Sequence, residues 1–356
     1  MKHIIHVIFL FVSVIATAQR QDTIDRLIDR KMQEQKLVGV SIGIIQNGKL
    51  VKLTGYGLAN REYRVLADEN TVYKLASISK HMIAVVIMKL NEGGQLKLTD
   101  KVAKYFPDAP ASWSNITIRH LLNHTSGLVR ESPGFRFNLA QSDSVLIRQT
   151  YDIPLTFPTG TKWEYCNLGY FILAEVIRKV TGIPFAQYME KEIFSKYDMN
   201  RTATTAVYDV NPFKAEGYIP RGKDSLVKAE AQIALRPSGA FISTAADMMK
   251  WEMLIQNEQI ISKQSWQQMW SDTVLTTRKN PGGGDVFYGY GLETTDYNHK
   301  KLVYHGGSLP GFRTMYFRFP EEKTAIVILS NADQAILAPV AWEIADILFK
   351  QSVITR

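Results

Sequence analysis

Apolar residues recur along the chain in two rhythms, and the rhythms sort into different regions. Behind Thr23, the residues Ile24, Leu27, Ile28 and Met32 return at the spacing of one helix face, which predicts an amphipathic helix over about 23–36. Val38–Gln46 then alternates and is rich in β-branched residues. Asn47-Gly48 supplies a two-residue hairpin turn, and Leu50–Tyr56 returns. Near the other end, Lys301–His305, Phe312–Phe319 and Thr324–Ser330 read as three more strands, the last two joined across Pro320-Glu321-Glu322-Lys323. Leu337, Val340, Ile344 and Leu348 mark a closing amphipathic helix. Between these ends, Ile78–Leu90 is almost wholly apolar and stops at Gly93-Gly94, the pattern of a buried helix. An α/β (α+β) architecture accommodates all of this: one antiparallel sheet built from both chain ends, helices on its faces, and an inserted, mostly helical lobe. The expected division is 19–75 with 230–356 for the sheet lobe and 76–229 for the helical lobe. The sequence contains no internal repeat.

Residues 1–18 stand apart. Lys2 precedes the apolar stretch Ile4–Ile15, and Ala16-Thr17-Ala18 supplies the small residues of a cleavage site, so the segment reads as a secretory signal peptide and the protein as secreted or periplasmic. Later apolar runs are broken by charges such as Glu343 and Asp346, so no stable membrane span is expected after cleavage. Hydrophobic residues at 46% and charged residues at 21% of the 356 exclude a disordered or low-complexity chain. The single cysteine, Cys166, excludes an intramolecular disulfide, a cysteine-based zinc site and a four-thiolate iron–sulfur cluster. The net charge of +8, which falls to +7 without Lys2, is scattered. With no basic run and no zinc-finger or RNA-binding signature, nucleic acid is not an expected partner; the charge suits solubility and attraction to an anionic envelope or acidic substrate.

Three short motifs carry candidate chemistry. In Ser77-Ile78-Ser79-Lys80 the first and last residues share a helix face, so the serine hydroxyl and the lysine amine can touch. A lysine in an apolar, cation-rich pocket loses its proton near neutral pH and can activate the hydroxyl, while a helix N-terminus offers backbone N–H groups to an oxyanion. Tyr165-Cys166-Asn167 follows the turn Pro158-Thr159-Gly160, which places a phenol and an amide on a loop. Tyr304-His305-Gly306-Gly307-Ser308 ends a strand with two glycines, where a substrate backbone can approach closely.

In the order and spacing of these motifs the chain resembles the serine β-lactamase-like and penicillin-binding family, in its branch of class C β-lactamases, D,D-carboxypeptidases and esterases. Further matching segments are His120-Leu121-Leu122-Asn123-His124-Thr125-Ser126-Gly127-Leu128, Pro237-Ser238-Gly239-Ala240-Phe241-Ile242-Ser243-Thr244-Ala245-Ala246-Asp247-Met248 and Gly306-Gly307-Ser308-Leu309-Pro310-Gly311-Phe312, so the likeness spans essentially the whole chain after the leader. The resemblance implies the β-lactamase/transpeptidase-like fold, no cofactor and no metal. It implies Ser77 as acylated nucleophile, Lys80 and Tyr165 as a coupled proton-transfer pair, and Asn167 on the substrate amide. It implies Gly306, Gly307 and Ser308 along the substrate, with the N–H groups of Ser77 and Ser308 as oxyanion hole. His305 stands where class C β-lactamases carry the lysine of Lys-Thr-Gly. An imidazole there is expected to titrate near its ordinary pKa of about 6.5 and to put efficient β-lactam hydrolysis in doubt.

Other patterns give less. His120 and His124 are four apart but lack the glutamate of His-Glu-x-x-His, and Gly307-x-Ser308-x-Pro310 departs from a nucleophile elbow at its last position. Gly282-Gly283-Gly284 reads as a turn and Cys166 as a small buried hydrophobe. The expected function is an exported serine hydrolase acting through an acyl-enzyme on D-amino-acid peptides or related small substrates, cell-wall peptide among them. The competing readings are an envelope esterase, a weak β-lactamase, and a penicillin-binding relative whose acyl-enzyme does not turn over. Substrate choice is expected to lie in the loops around 129–160 and 203–235.

Overall fold

The computed structural model describes residues 23–136, 138–204, 209–222, 225–229 and 236–350. The leader 1–18, the lobe junction drawn at residue 230 and parts of the 203–235 loop lie outside the described residues. Nine antiparallel strands form one sheet in the order Val65–Leu66, Lys49–Asn60, Gly39–Gln46, Thr324–Ser330, Phe312–Phe319, Lys300–Leu309, Glu293–Tyr297, Asp285–Tyr288 and Val274–Lys279. The first hairpin turns at Asn47 (φ 51°) and Gly48 (φ 74°), the two left-handed positions that a tight hairpin turn requires. Gly39–Gln46 pairs on its other side with Thr324–Ser330, Ile42 opposite Ile328 and Ile44 opposite Ile326, so the two chain ends meet in the sheet interior.

Every residue of Gly39–Gln46 and Thr324–Ser330 is buried, because helices cover both faces. The period of two sorts their side chains. Ile42, Ile44, Phe317, Phe319, Ile326 and Ile328 pack under the terminal helices 23–35 and Leu337–Lys350. Ile45, Tyr316, Ala325, Val327 and Leu329 face the larger core with Met249 and the buried helix Ser79–Glu92. Helix Ala245–Gln256 is tied to the sheet by a buried pair, Arg318 Nε donating to both Glu252 carboxylate oxygens at 2.8 Å, with the Tyr316 hydroxyl donating to the same group.

Two expectations need correction. The strand expected to stop at His305 runs to Leu309, with Gly306 opposite Met315 and Gly307 opposite Thr314. Glycines remove the side-chain alternation but not the backbone ladder, so the glycine pair lies inside the strand. The region before residue 300 contributes three strands that the pattern hides, since Val274–Lys279 is a mostly exposed edge with one buried residue, Thr276. Gly282-Gly283-Gly284 is the turn between two of them, closed by Asn280 N–H donating to Gly284 O at 2.9 Å. Among the described residues no helix is long and apolar enough to cross a membrane.

The nucleophile turn is positioned where a second, three-stranded sheet of Tyr73–Lys74, Phe241–Ser243 and Ala203–Thr204 meets the large one. Leu75 N–H donates to Phe241 O at 2.8 Å, and the Leu75 carbonyl accepts from Thr314 Oγ1 at 2.8 Å. The residues before Ser77 are thus clamped between both sheets.

Candidate active site

Ser77 sits on a 3-10 turn, Ala76–Ile78, immediately before the buried helix, rather than within it. Ala76 takes φ 53°, a left-handed conformation that costs a non-glycine residue about 1–3 kcal/mol. Lys80 is one turn on, fully buried, and its Nζ donates to Ser77 Oγ at 3.2 Å and to the Ser238 carbonyl at 2.6 Å. Its nitrogen also lies 4.8 Å from the Tyr165 ring centroid and 5.5 Å from that of Tyr170. Burial drives the Lys80 pKa well below the ordinary lysine value; Arg130 and Arg278 push it the same way, and Glu131 opposes them.

Tyr165 is also buried, lines the cleft with Ser77, and interacts with the Ser77 side chain. Burial raises its pKa above that of an ordinary phenol, while the Ser77 side chain and the Arg278 and Arg130 charges pull it down. The guanidinium groups of Arg130 and Arg278 lie 5.2 and 5.4 Å from its ring centroid. Asn167 is not on a loop with Tyr165: it is the first residue of helix Asn167–Thr181. Its Nδ2 donates to Glu131 Oε1, and its Oδ1 is buried without a partner among the described residues. Cys166, between them, has its thiol pushed up to about 12 by burial, which makes it a packing residue.

Gly307 brings the third motif against the serine. A Cβ there would stand 2.3 Å from the Leu75 carbonyl oxygen, 2.2 Å from Thr314 Oγ1 and 3.1 Å from Ala76 Cβ, so only glycine lets this strand reach the turn. That approach brings the strand against the turn in the cleft that Ser77 and Ser308 both line, and the Ser77 N–H, in the first turn of its helix, has no intrahelical partner.

His305 departs from expectation. It is buried, its Nε2 3.1 Å from the Tyr288 hydroxyl and its Nδ1 2.6 Å from the Gly306 carbonyl. Burial, with Lys80 and Arg278 nearby, holds its pKa well below the imidazole value, which favours the neutral ring over the titrating cation expected there.

The cleft has a volume of about 900 Å³, and Ser77, Tyr165, Asn167, His305, Gly306, Gly307 and Ser308 all line it, with Lys80 buried behind Ser77. Strand Lys300–Leu309 divides its remaining walls. On the side of the edge strands stand Arg278 and Glu293, an ion pair, with Arg130 and Glu131 facing them from the helical lobe. On the other side stand Pro310, Met315, Ile336 and Leu337, where the charges Arg313 and Asp333 neutralise each other at 3.0 Å. Arg130, Glu131, Ser238, Arg278 and Glu293 were not legible as site residues. Ser238 acts through its carbonyl, which no side-chain pattern reveals, and the others are ordinary charges until the fold gathers them.

Residues 24–348 match the β-lactamase family model. The chain belongs to the β-lactamase family. Its enzyme class is therefore that of a serine hydrolase, and its fold that of the β-lactamase/transpeptidase group. Penicillin-binding protein 4* of Bacillus subtilis is 28% identical over 315 residues, 81% of this chain and 67% of that protein. Protein flp of Staphylococcus aureus is 28% identical over 326 residues, 88% of this chain and 64% of its own length, so these family relatives carry sequence that this chain does not match. Among solved structures, the octameric penicillin-binding protein homologue from Pyrococcus abyssi superposes with a TM-score of 0.82 at 28% identity, over 92% of this chain and 77% of that one. D-amino acid amidase from Ochrobactrum anthropi SV3, in complex with D-phenylalanine, gives 0.81 at 21% identity over 95% of this chain and 100% of the other, a likeness of fold.

Proposed function

We propose that this enzyme hydrolyses amide or ester bonds of small D-amino-acid substrates through a covalent acyl-enzyme on Ser77. The observation that carries the reading is the Lys80–Ser77 pair, an amine 3.2 Å from a hydroxyl in surroundings that strip the amine of charge. The neutral amine takes the hydroxyl proton as Oγ attacks the substrate carbonyl. Negative charge then builds on the carbonyl oxygen, where the N–H groups of Ser77 and Ser308 receive it. Tyr165 gives its phenolic proton to the departing amine or alcohol, and the Lys80 ammonium returns the serine's proton to the phenolate. The acyl-enzyme therefore leaves the pair as it began. Water reverses the sequence: its proton goes to the pair, its oxygen attacks the ester carbonyl, and Ser77 departs as a hydroxyl. Asn167 accepts from the substrate amide through its open Oδ1.

The substrate class is supported by the walls of the cleft and by the structural neighbours. A charged side and an apolar side flank Ser77, which suits an amino-acid amide or short peptide with one polar and one apolar end. D-amino acid amidase and the D-stereospecific amidohydrolase from Streptomyces share the fold, the latter with a TM-score of 0.73 at 21% identity over 88% of this chain and 94% of that one. Neutral His305 supplies no strand cation for a β-lactam carboxylate. Export through the 1–18 leader, with cell-wall peptide as the macromolecular candidate, belongs to the same proposal and rests on sequence alone.

A substrate panel tests the reading: D-phenylalanine amide, a D-Ala-D-Ala peptide, a nitrophenyl ester and a cephalosporin, each with wild type and Ser77→Ala. Higher kcat/KM on the D-amide or D-peptide than on the cephalosporin, and no turnover by Ser77→Ala, are expected. A cephalosporin preference, or hydrolysis by the alanine variant, overturns it.

A further inference from the structure

The His-Leu-Leu-Asn-His segment takes no part in the chemistry above, yet its second histidine is bound to both neighbours of Tyr165. The carbonyl of His124 accepts from Glu164 N–H at 3.0 Å, and its Nδ1 accepts from Cys166 N–H at 3.2 Å. Its ring centroid lies 4.4 Å from that of Tyr165 and 4.5 Å from that of Tyr288, whose hydroxyl meets His305. His120, four residues earlier, does something unrelated: it closes a capping box with Thr117 at the start of its own short helix.

We infer that His124 is a positioning residue for Tyr165, fixing the main chain on both sides of the phenol and one face of its ring so that the hydroxyl stays at Ser77. The inference rests on the reading of Tyr165 as proton donor. His124 is fully buried and adopts φ 62°, a left-handed backbone that glycine takes without strain and asparagine tolerates best among the other residues. A glycine there would relieve the backbone but lose both the acceptor and the ring. Because Nδ1 accepts an N–H, the single proton of the neutral ring sits on Nε2, which is buried without a partner among the described residues. Burial first, and then the Arg278 and Arg130 charges, oppose a second proton on His124, so the support under Tyr165 stays uncharged.

The test uses His124→Asn, His124→Gly and His124→Leu. Asparagine keeps a left-handed backbone and an acceptor attached at the same point of the side chain, glycine keeps only the backbone, and leucine keeps neither. Active-site titration with a fluorophosphonate, whose fluoride needs no proton from Tyr165 to depart, counts competent Ser77, and kcat on a D-phenylalanine anilide is expressed per titrated site. A misplacement of about 1 Å in a catalytic group costs about 100-fold. A loss of that order in kcat is expected for the glycine and leucine variants, with little change in KM and a shifted alkaline limb of the kcat profile. Asparagine should restore most of the loss. Unchanged kcat per titrated site in the glycine and leucine variants, with only melting temperature reduced, would assign His124 to packing and overturn the inference. So would an asparagine variant no better than glycine. If leucine prevents folding, the asparagine–glycine contrast decides. Tyr165→Phe is measured alongside. Impaired Tyr165→Phe with unimpaired His124 variants sinks this inference alone, whereas wild-type turnover by Tyr165→Phe removes the reading beneath it as well.

Discussion

Adding one methyl group at Gly307 should disable this enzyme without unfolding it. The Cβ of an alanine would lie 2.3 Å from the Leu75 carbonyl oxygen and 2.2 Å from Thr314 Oγ1, where ordinary contact begins near 3.4 Å. Thr314 can rotate, at the cost of its bond to Leu75, but the Leu75 carbonyl is main chain clamped between two sheets. Strand and turn must therefore part by about 1 Å, and that gap opens between the N–H groups of Ser77 and Ser308. Losing one oxyanion donor typically costs about 10²–10³-fold in kcat, and a 1 Å misplacement about 10²-fold. Overpacking itself costs about 1–3 kcal/mol, which lowers the melting temperature but stays below the roughly 5–15 kcal/mol that holds a typical native protein folded. Gly306→Ala is the internal control, because its Cβ would meet the flexible Met315 Cε at 3.2 Å and the Thr314 carbonyl at 3.7 Å. The assay is kcat on an activated ester per phosphonate-titrated site, with thermal melts of both variants. A Gly307→Ala enzyme within a few-fold of wild type, or a Gly306→Ala enzyme as damaged as it, would refute the argument that close approach builds the oxyanion site.

Three further outcomes follow from the buried charges. Lys80 is depressed in the folded state, so between its folded and unfolded pKa the unfolded chain binds more protons and stability rises with pH; Lys80→Met should abolish turnover and raise the melting temperature at pH 7, and a lower one would contradict the assignment of an uncharged, destabilising lysine. Since His305 is held neutral, kcat/KM should show no step near pH 6.5 that His305→Gln removes, and such a step in wild type alone would restore the titrating cation. Glu252→Leu strands Arg318 in the core and should cost about 3–5 kcal/mol by chemical denaturation, with a loss below about 1 kcal/mol refuting the pair as buried.

The sequence shows the sheet best where one rhythm is forced by burial. Gly39–Gln46 and Thr324–Ser330 stand out as dense β-branched, apolar runs because both of their faces are buried, each against a different core, and Asn47-Gly48 turns as its two left-handed positions require. Val274–Lys279 escaped because an edge strand with one buried side chain has little pattern to read. The same logic divides the site. Ser77, Lys80, Tyr165, Asn167 and the glycine strand are legible because their chemistry needs fixed residue types at fixed spacing. Arg130, Glu131, Arg278 and Glu293 are not, because any solvated charge looks alike until tertiary structure aims it. His305 lines the cleft, but its protonation was not legible, since an imidazole's proton depends on burial and on nearby groups such as Lys80 and Arg278, not on its neighbours in sequence.

The central claim, a covalent intermediate on Ser77, is tested most directly by mass spectrometry of the enzyme quenched after mixing with a fluorophosphonate and, separately, with a slow D-amino-acid ester. The account predicts one adduct per chain, on the peptide containing Ser77, lasting with the phosphonate, transient with the ester, and lengthened in Tyr165→Phe. An adduct on Ser308 or Cys166, or hydrolysis of the ester by Ser77→Ala at the wild-type rate, would contradict it.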